Sequence, residues 1–294
     1  MSLSEGINRF VYEHRWTLGF IEGGVDSMVE GKPFEIHYVK GMPRDRWFSD
    51  PFILDYDGQT IQLLVEEFCY KIRRGRIAKL LIDRNSYSLL SYKIILDLPE
   101  QHLSFPFIER KEGKVFVSPE SSSSCSWSRY EYDAETGHLS MAKCISQEPL
   151  TDAVVTDLFG EELIFATHLP TQNGNVLTVY DAYGVKKQDI ELPSNVARNA
   201  GDWFKVGEKI YRPAQDCNSG YGRAVIVQEV AREGGVFCFK DIRRIESSNP
   251  KYSTGCHTFN NYKDLSVVDV RGWRRPVGVK VLSLIKKIIK GEQG

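Results

Sequence analysis

The chain has 294 residues, of which 41% are apolar and 26% charged, and its formal net charge is −1. This composition is typical of a globular protein, and its balance lacks the basic field with which nucleic-acid-binding proteins hold phosphates. We therefore expect no nucleic-acid partner. The sequence shows no run of 18 apolar residues and no secretory leader, and its six cysteines have no C-x-x-C spacing. These features favour a cytoplasmic protein without a zinc site or a disulfide framework.

A short motif recurs five times along the chain, with a polar or otherwise unusual residue placed two positions before a phenylalanine. The five copies are Phe48–Phe52, Leu103–Phe107, Val155–Phe159, Ala200–Phe204 and Gly255–Phe259. A turn and an apolar run follow each copy, which is the pattern of a β-hairpin. The copies lie about 50 residues apart, a period typical of propellers and other repeat folds.

Further β-type segments follow each hairpin and supply a third and a fourth strand for each repeat. Four short strands in each unit predict an all-β, five-bladed β-propeller formed by residues 1–278 as one domain. The predicted blade starts lie near residues 50, 105, 157, 202 and 257. The strand-like segment Trp16–Phe20 is expected to complete the last blade and thereby to remove a free sheet edge.

Residues 279–294 predict a short basic amphipathic helix. Val281, Leu282 and Ile285 recur at helical spacing, with Lys280 and Lys286 on the other side. Two alternatives remain open for it. Residues 279–290 could lie in a membrane interface, at the inner membrane face, or the apolar stripe could dock on the propeller.

The first strand of a blade begins, and the second ends, at the same face of the ring. We therefore expect polar residues at these positions to line one funnel. The strand starts supply Asp50, Ser104, Asp157, Asp202 and His257, and the strand ends supply Glu66, Glu67, Glu120, His168, Arg212, Gln215, Asp216 and Asp269.

Carboxylates that face each other across a cleft are the groups that glycoside hydrolysis requires. The sequence predicts Asp50 as base or nucleophile and Glu120 as acid, with Glu67 as a further candidate acid. Glu66 and Glu67 are adjacent, so only one of them can face the axis. Trp47 could stack on a sugar ring. We expect the remaining substrate contacts to come from Ser104, Asp157, Asp202, Arg212, Gln215, Asp216 and His257.

The segment Ser49–Phe52 resembles the first-blade Asp-Pro of the five-bladed glycoside hydrolases, such as those of family 43. This resemblance implies that Asp50 is the catalytic base or nucleophile and that a later glutamate is the acid. Gly255–His257 is similar to the Gly-x-His of the fifth blade in family 43. It implies an axial His257 that helps to hold a calcium ion or its waters; no other cofactor is expected.

A closer resemblance links about residues 45–270 to the N-terminal propeller domain of plant glucosamine inositolphosphorylceramide transferases and to bacterial proteins of surface-polysaccharide loci. It is carried by Trp47–Phe52, Val65–Phe68, His102–Phe107, Pro119-Glu120, Arg212–Cys217 with Tyr221-Gly222, and His257-Thr258. The chain shows no separate glycosyltransferase domain, so the transferase activity is not carried over.

One departure from the hydrolases affects the expected mechanism. Phe105-Pro106 occupies the place of their second-blade Asp-Pro, and a neutral Phe cannot offset oxocarbenium charge. Asp157 or Glu67 could replace that carboxylate. Two functions follow: an enzyme acting at a glycosidic bond of a surface polysaccharide or glycolipid, or a non-catalytic glycan-binding propeller that assists a partner glycosyltransferase.

Overall fold

A computed structural model of the chain describes residues 10–121, 124 and 126–289. Within these residues, the strands form five four-stranded antiparallel sheets. The sheets confirm the predicted all-β fold with five propeller blades.

The elements follow one another in a regular order. The chain opens with β1 (His14–Glu22), α1 (Gly24–Val29) and β2 (His37–Tyr38). Blade 1 contains β3 (Arg46–Tyr56), β4 (Thr60–Cys69), β5 (Arg74–Asp83) and β6 (Leu89–Leu96). Blade 2 contains β7 (Ser104–Lys111), β8 (Lys114–Glu120), β9 (Trp127–Tyr132) and β10 (Leu139–Ser146). Blade 3 contains β11 (Leu150–Thr156), β12 (Leu163–His168), β13 (Val176–Asp181) and β14 (Lys186–Glu191). Blade 4 contains β15 (Phe204–Val206), β16 (Lys209–Asp216), β17 (Ala224–Glu233) and β18 (Val236–Ile245). A 3-10 turn (Pro250–Tyr252), β19 (Phe259–Tyr262), β20 (Leu265–Trp273) and α2 (Pro276–Ile289) complete the described chain.

Blade 5 is assembled from both ends of the chain. Its strand order is β19-β20-β1-β2, and β1 pairs with β20 from His14 opposite Trp273 to Glu22 opposite Leu265. The segment Trp16–Phe20 lies inside β1 and is therefore part of the last blade. This pairing closes the ring and covers a strand edge that would otherwise attract other chains.

Apolar side chains fill the spaces between neighbouring blades. Leu18 and Phe20 of β1 pack with Leu63 and Val65 of β4, and all four are fully buried. Each such side chain contributes about 1.5–3 kcal/mol of burial free energy. The core therefore lies between the sheets and leaves the polar strand starts free to form a site.

The first strands of blades 1, 2 and 3 share a bulge near the start of the strand. The pairing register shifts between Ser49 and Phe52, between Ser104 and Phe107, and between Thr151 and Val154. One residue in each bulge has a left-handed backbone: Asp50 (φ 49°), Phe105 (φ 41°) and Asp152 (φ 44°). These three residues are therefore equivalent, and the bulge directs them out of the regular strand pattern.

The blade start expected near residue 157 is wrong, whereas the one expected near residue 202 lies within three residues of the first pairing of blade 4. Asp157 follows the end of β11, so Asp152 and not Asp157 occupies the blade-3 position. In blade 4 the pairing begins with the bridge between Asn199 and Ala214, before Asp202. In blade 3 the repeated phenylalanine does not mark the start of the blade, because Phe159 lies beyond the end of β11.

Helix α2 begins at Pro276, three residues before the predicted start, and residues 290–294 of the predicted segment lie outside the described chain. The Tyr12 and Ser283 hydroxyls hydrogen-bond at 3.2 Å, which joins the helix to the segment before β1. Val277, Val281, Leu284 and Ile285 are nevertheless 44% to 72% exposed. Among the described residues, no helix has both the length and the apolar character needed to cross a bilayer.

Candidate functional site in the axial funnel

Two aspartates and a histidine meet where blades 1 and 5 adjoin. Asp50 comes from the β3 bulge, Asp269 from β20 and His257 from the segment before β19. His257 Nδ1 lies 2.7 Å from Asp269 Oδ2, and His257 Nε2 lies 3.4 Å from Asp50 Oδ1. All three residues are buried, so their charges interact in a medium that screens them weakly.

Asp50 is held by hydrogen bonds to both carboxylate oxygens. Thr258 Oγ1 donates to Oδ1 at 2.9 Å, and the Phe105 amide donates to Oδ2 at 3.1 Å. Burial raises the pKa of Asp50 from 3.8 to about 7, although the nearby His257 opposes this shift. A carboxyl group with this pKa exchanges protons near neutral pH, as a general base or acid must.

His257 is fixed on its ring faces as well as at its nitrogens. Its ring stacks on Trp16 with centroids 3.9 Å apart, and the Tyr221 ring meets it edge-on at 5.2 Å. Burial lowers the pKa of His257, but the carboxylates of Asp269 and Asp50 outweigh burial and leave the pKa above its ordinary value. The sequence prediction placed this histidine at the axis, and here it links two carboxylates.

Asp50, His257 and Asp269 could offer one ligand atom each to a metal ion, within 4.8 Å of one another. Their carboxylate oxygens already accept hydrogen bonds, however. Asp269 Oδ1 accepts from the His257 and Thr258 amides, and its Oδ2 accepts from the Asp50 amide. Calcium prefers six to eight oxygen ligands. This donor set therefore fits calcium poorly, and the predicted axial calcium stays a prediction.

A second buried charge cluster lies between blades 2, 3 and 4. Glu120 ends β8, Asp152 lies in the β11 bulge and Arg198 precedes β15. Arg198 Nε donates to Asp152 Oδ2 at 2.5 Å, and Arg198 Nη2 lies 3.7 Å from Glu120 Oε2. Gln215 Nε2 also donates to Asp152 Oδ2, at 2.7 Å. The predicted funnel residues Glu120 and Gln215 are thus brought together by two residues that the sequence did not single out.

The protonation of Glu120 is set by its surroundings. Burial raises its pKa well above the ordinary value, and the neighbouring Asp152 carboxylate adds to this shift while Arg198 opposes it. Glu120 also accepts a hydrogen bond from the Asp152 amide at 3.1 Å. A raised pKa favours the protonated form of Glu120, which is the form that can donate a proton.

The bulges link the clusters around the axis. The amide of each left-handed residue donates to a carboxylate of the neighbouring blade: Asp50 to Asp269, Phe105 to Asp50, and Asp152 to Glu120. Ser104, which is buried, pairs in register with Glu120 and directly precedes Phe105. The start of β7 therefore lies between Asp50 and Glu120.

The two adjacent glutamates of β4 have different surroundings. Glu66 accepts a hydrogen bond from Ser49 Oγ at 2.8 Å and lies 3.2 Å from His102 Nε2. Ser49, which pairs with Glu66 across the two strands, directly precedes Asp50. Glu67 instead forms ion pairs with Arg46 at 2.8 Å and Arg76 at 2.9 Å. The candidate position of Glu67 at the axis is wrong, because strand alternation directs Glu66 there.

Asp157 and Asp202 lie away from the funnel. They line a cavity of about 310 Å³ together with Glu109 and Arg110, near the opposite ends of β7 and β11. Burial raises the pKa of Asp202 to about 7. The expectation that these two aspartates contact the funnel ligand is wrong, because both line this other cavity.

Arg212 is fully buried in blade 4. It donates to the Asn199 and Gln228 side chains at 2.9 Å, and to the carbonyls of Val196 and Ala197. Burial lowers its pKa to about 9. Its guanidinium is thus engaged by the protein, which contradicts its expected place in the funnel.

Asp216 and Trp47 each have a partner within the protein. Asp216, the last residue of β16, pairs with Arg244 at 2.6 Å, and its role as a substrate contact stays a prediction. Trp47 stacks on Phe68 with centroids 4.7 Å apart and is only half-buried. Its exposed part remains available to a sugar ring, and this role stays a prediction.

Sequence reasoning missed Asp152 and Arg198 and did not choose Glu66. A signal for Asp152 exists, because Thr151-Asp152-Ala153-Val154 follows the same order as Ser49-Asp50-Pro51-Phe52: a hydroxyl residue, an acid and then apolar residues. Arg198 lies in a loop without a repeated neighbour, so no comparable pattern identifies it.

The five sheets define a five-bladed β-propeller, and solved structures of glycoside hydrolases share this fold. A family 117 glycoside hydrolase of Zobellia galactanivorans matches with a TM-score of 0.52 at 11% identity, over 89% of this chain and 90% of that chain. CoXyl43, a GH43 beta-xylosidase/alpha-arabinofuranosidase from a compost microbial metagenome, matches with a TM-score of 0.51 at 11% identity, over 80% and 93%. At such identities these matches show the fold alone.

The family is shown by sequence. Residues 39–246 match the family described as glucosamine inositolphosphorylceramide transferase 1, N-terminal, and the chain belongs to this family. The Arabidopsis thaliana glucosamine inositolphosphorylceramide transferase 1 is 28% identical over 253 residues, which are 74% of this chain and 32% of that protein. The protein of the same name from Oryza sativa subsp. indica is 26% identical over 198 residues, covering 63% and 26%. The chain therefore spans about a quarter to a third of these relatives.

Proposed function

We propose that this propeller is an enzyme that acts on a glycan, hydrolysing or transferring at a glycosidic bond of a surface polysaccharide or glycolipid. The observation that carries the proposal is the placement of Asp50 and Glu120. Two buried carboxyl groups from neighbouring blades, each with a raised pKa, lie on either side of the β7 start. Paired carboxyl groups are the minimal machinery for this reaction.

Glu120 is the general acid in this proposal. Its proton passes to the glycosidic oxygen as the bond between that oxygen and the anomeric carbon breaks. Burial raises its pKa well above the ordinary value, which favours the protonated form that an acid needs. The Arg198 guanidinium, 3.7 Å away, stabilises the carboxylate that remains after proton transfer.

Asp50 is the base or nucleophile. As a base it takes a proton from water while the water oxygen bonds to the anomeric carbon; as a nucleophile it bonds to that carbon itself. Its pKa of about 7 leaves part of the population ionised at neutral pH. Thr258 and the Phe105 amide hold its carboxylate in one orientation.

A non-catalytic glycan-binding propeller that assists a partner glycosyltransferase is the second candidate. Phe105 favours it, because this uncharged, fully buried side chain takes the bulge position that Asp50 and Asp152 occupy in the neighbouring blades. The curated relatives are transferases of which this chain matches a part, which also supports a role beside a transferase.

Glycan-array binding followed by product analysis distinguishes the two candidates. Wild type, Asp50→Asn and the control Asp157→Asn would be compared, since Asp157 is an exposed aspartate away from the funnel. The enzyme proposal predicts product from wild type and Asp157→Asn, and binding without turnover by Asp50→Asn. Equal binding by all three proteins without product would refute catalysis and leave the binding function.

A further inference from the structure

A groove runs along the outer edge of blade 5. Its volume is about 710 Å³, and β2 and the 3-10 turn form part of its wall. Five of its lining residues are basic and one is acidic: Arg15, Lys40, Arg44, Lys251, Arg274 and Glu35. We call it the blade-5 groove. Its excess of positive charge contrasts with the net charge of −1 of the whole chain.

Most of this positive charge has no acidic partner. Arg274 pairs with Glu13 at 2.6 Å. Within the described part of the chain, the other four basic residues form no ion pair; Arg15 donates to the carbonyl of Pro43 at 2.5 Å. Lys40, Arg44 and Lys251 are exposed. Unneutralised cations that converge on one concave surface attract an anion.

Helix α2 begins at the edge of the same groove. Pro276, its first residue, lines the groove, and the next turns expose Val277, Val281, Leu284 and Ile285. Their spacing of four, three and one residues puts them on one face of the helix. An exposed apolar helical face beside a basic surface is the arrangement with which proteins lie in a membrane interface.

We propose that the blade-5 groove and the exposed face of α2 together bind the surface of an anionic lipid bilayer. The phosphate of a lipid headgroup occupies the groove, close to Lys40, Arg44 and Lys251. The apolar face of α2 enters the boundary between headgroups and acyl chains. Charge complementarity selects anionic lipids, because zwitterionic headgroups attract this groove weakly.

This surface lies on the funnel side of the ring. β20 carries Asp269 at the funnel and ends at Trp273, three residues before α2 begins. A bilayer bound to α2 therefore lies beside the funnel mouth, where a lipid-linked glycan could enter. This orientation rests on the proposed function, whereas the membrane binding itself does not.

Vesicle co-sedimentation tests the binding without any measurement of turnover. Wild type would be mixed with vesicles of phosphatidylcholine alone, or of phosphatidylcholine and phosphatidylglycerol in equal parts. We expect binding to the anionic vesicles only. The groove variant Lys40→Gln/Arg44→Gln/Lys251→Gln should weaken this binding about a hundredfold, since each basic residue near an anionic surface adds about a tenfold attraction or less.

Matched controls separate this effect from a general loss of charge or apolar surface. Lys93→Gln/Lys143→Gln/Lys205→Gln removes three exposed lysines elsewhere, and Val236→Ser removes an exposed valine of β18. Both controls should bind as wild type does, whereas Val281→Ser/Leu284→Ser should bind weakly.

The proposal is overturned if wild type does not bind anionic vesicles. It is also overturned if the control variants lose as much vesicle binding as the groove and helix variants do, or if the groove and helix variants both bind as wild type does. Saturable binding of inorganic phosphate without vesicle binding would likewise overturn it and would indicate a site for a soluble phosphate.

Discussion

Replacing Asp50 with asparagine should change how the stability of the protein depends on pH. Burial raises the pKa of Asp50 from 3.8 to about 7 in the folded protein, whereas the unfolded chain restores the ordinary value. Between these two values the folded state holds a proton that the unfolded state has released. Rising pH therefore favours unfolding over this interval, and the stabilising effect of the proton is lost as pH passes through about 7.

The size of the effect follows from linkage. One proton of difference changes the free energy of unfolding by at most about 1.4 kcal/mol for each pH unit, or about 3 kcal/mol between about pH 5 and pH 7. Because the carboxylates of Asp269 and Asp50 also raise the pKa of His257 despite its burial, this histidine acts in the same direction as pH rises. Asparagine does not titrate, so Asp50→Asn should remove the contribution of Asp50 to the change of the free energy of unfolding with pH.

Urea unfolding followed by tryptophan fluorescence would measure the free energy of unfolding of wild type and Asp50→Asn at several pH values, with Asp157→Asn as the control. The stability of wild type relative to Asp50→Asn should fall by about 3 kcal/mol from about pH 5 to pH 7. Asp157→Asn should keep the wild-type slope because its side chain is exposed. Parallel curves for wild type and Asp50→Asn would refute the inferred proton on Asp50.

Two further substitutions test the packing around the site. Arg198→Met leaves Asp152 buried without its 2.5 Å cation partner, and urea unfolding should show a loss of about 3–5 kcal/mol; a loss below 1 kcal/mol would contradict the importance of this pair. A Cβ at Gly201 would lie 2.0 Å from the Phe259 carbonyl oxygen, so Gly201→Ala should lower Tm strongly, whereas Gly58→Ala should not because its Cβ meets nothing within 4 Å. Equal Tm values for the two glycine variants would show that blades 4 and 5 can separate at little cost.

The repeat in the sequence was sufficient to predict the number of blades, but not the residue at which each blade begins. Ser49-Asp50 and Ser104-Phe105 mark the bulges of blades 1 and 2 correctly. In blade 3 the phenylalanine of the repeat falls after the strand, which shifted the expected acid from Asp152 to Asp157. A side chain five residues further along a strand lies at the other end of the blade. An error of a few residues in the predicted blade start therefore places a side chain on the opposite face of the ring.

The charge partners of the site were harder to predict than its carboxylates. Strand alternation requires that Glu66 and Glu67 point in opposite directions, but the sequence contains no sign of which one faces the axis. The bulge between Ser49 and Phe52 sets that choice, and the cations Arg46 and Arg76 then stabilise the other glutamate. Arg198 reaches Asp152 only when blades 3 and 4 pack side by side, which no local pattern encodes.

The use of β1 in blade 5 determines the order in which the ring can be completed during synthesis. β1 leaves the ribosome before the strands of blades 1 to 4, whereas its partner β20 follows all of them. Until then Leu18 and Phe20, which are fully buried in the finished protein, have no β20 beside them. Blades 1 to 4 contain only their own consecutive strands and can form as the chain emerges. The nascent chain therefore carries an unpaired apolar strand until β20 appears, and this strand is the segment for which chaperones and neighbouring nascent chains would compete.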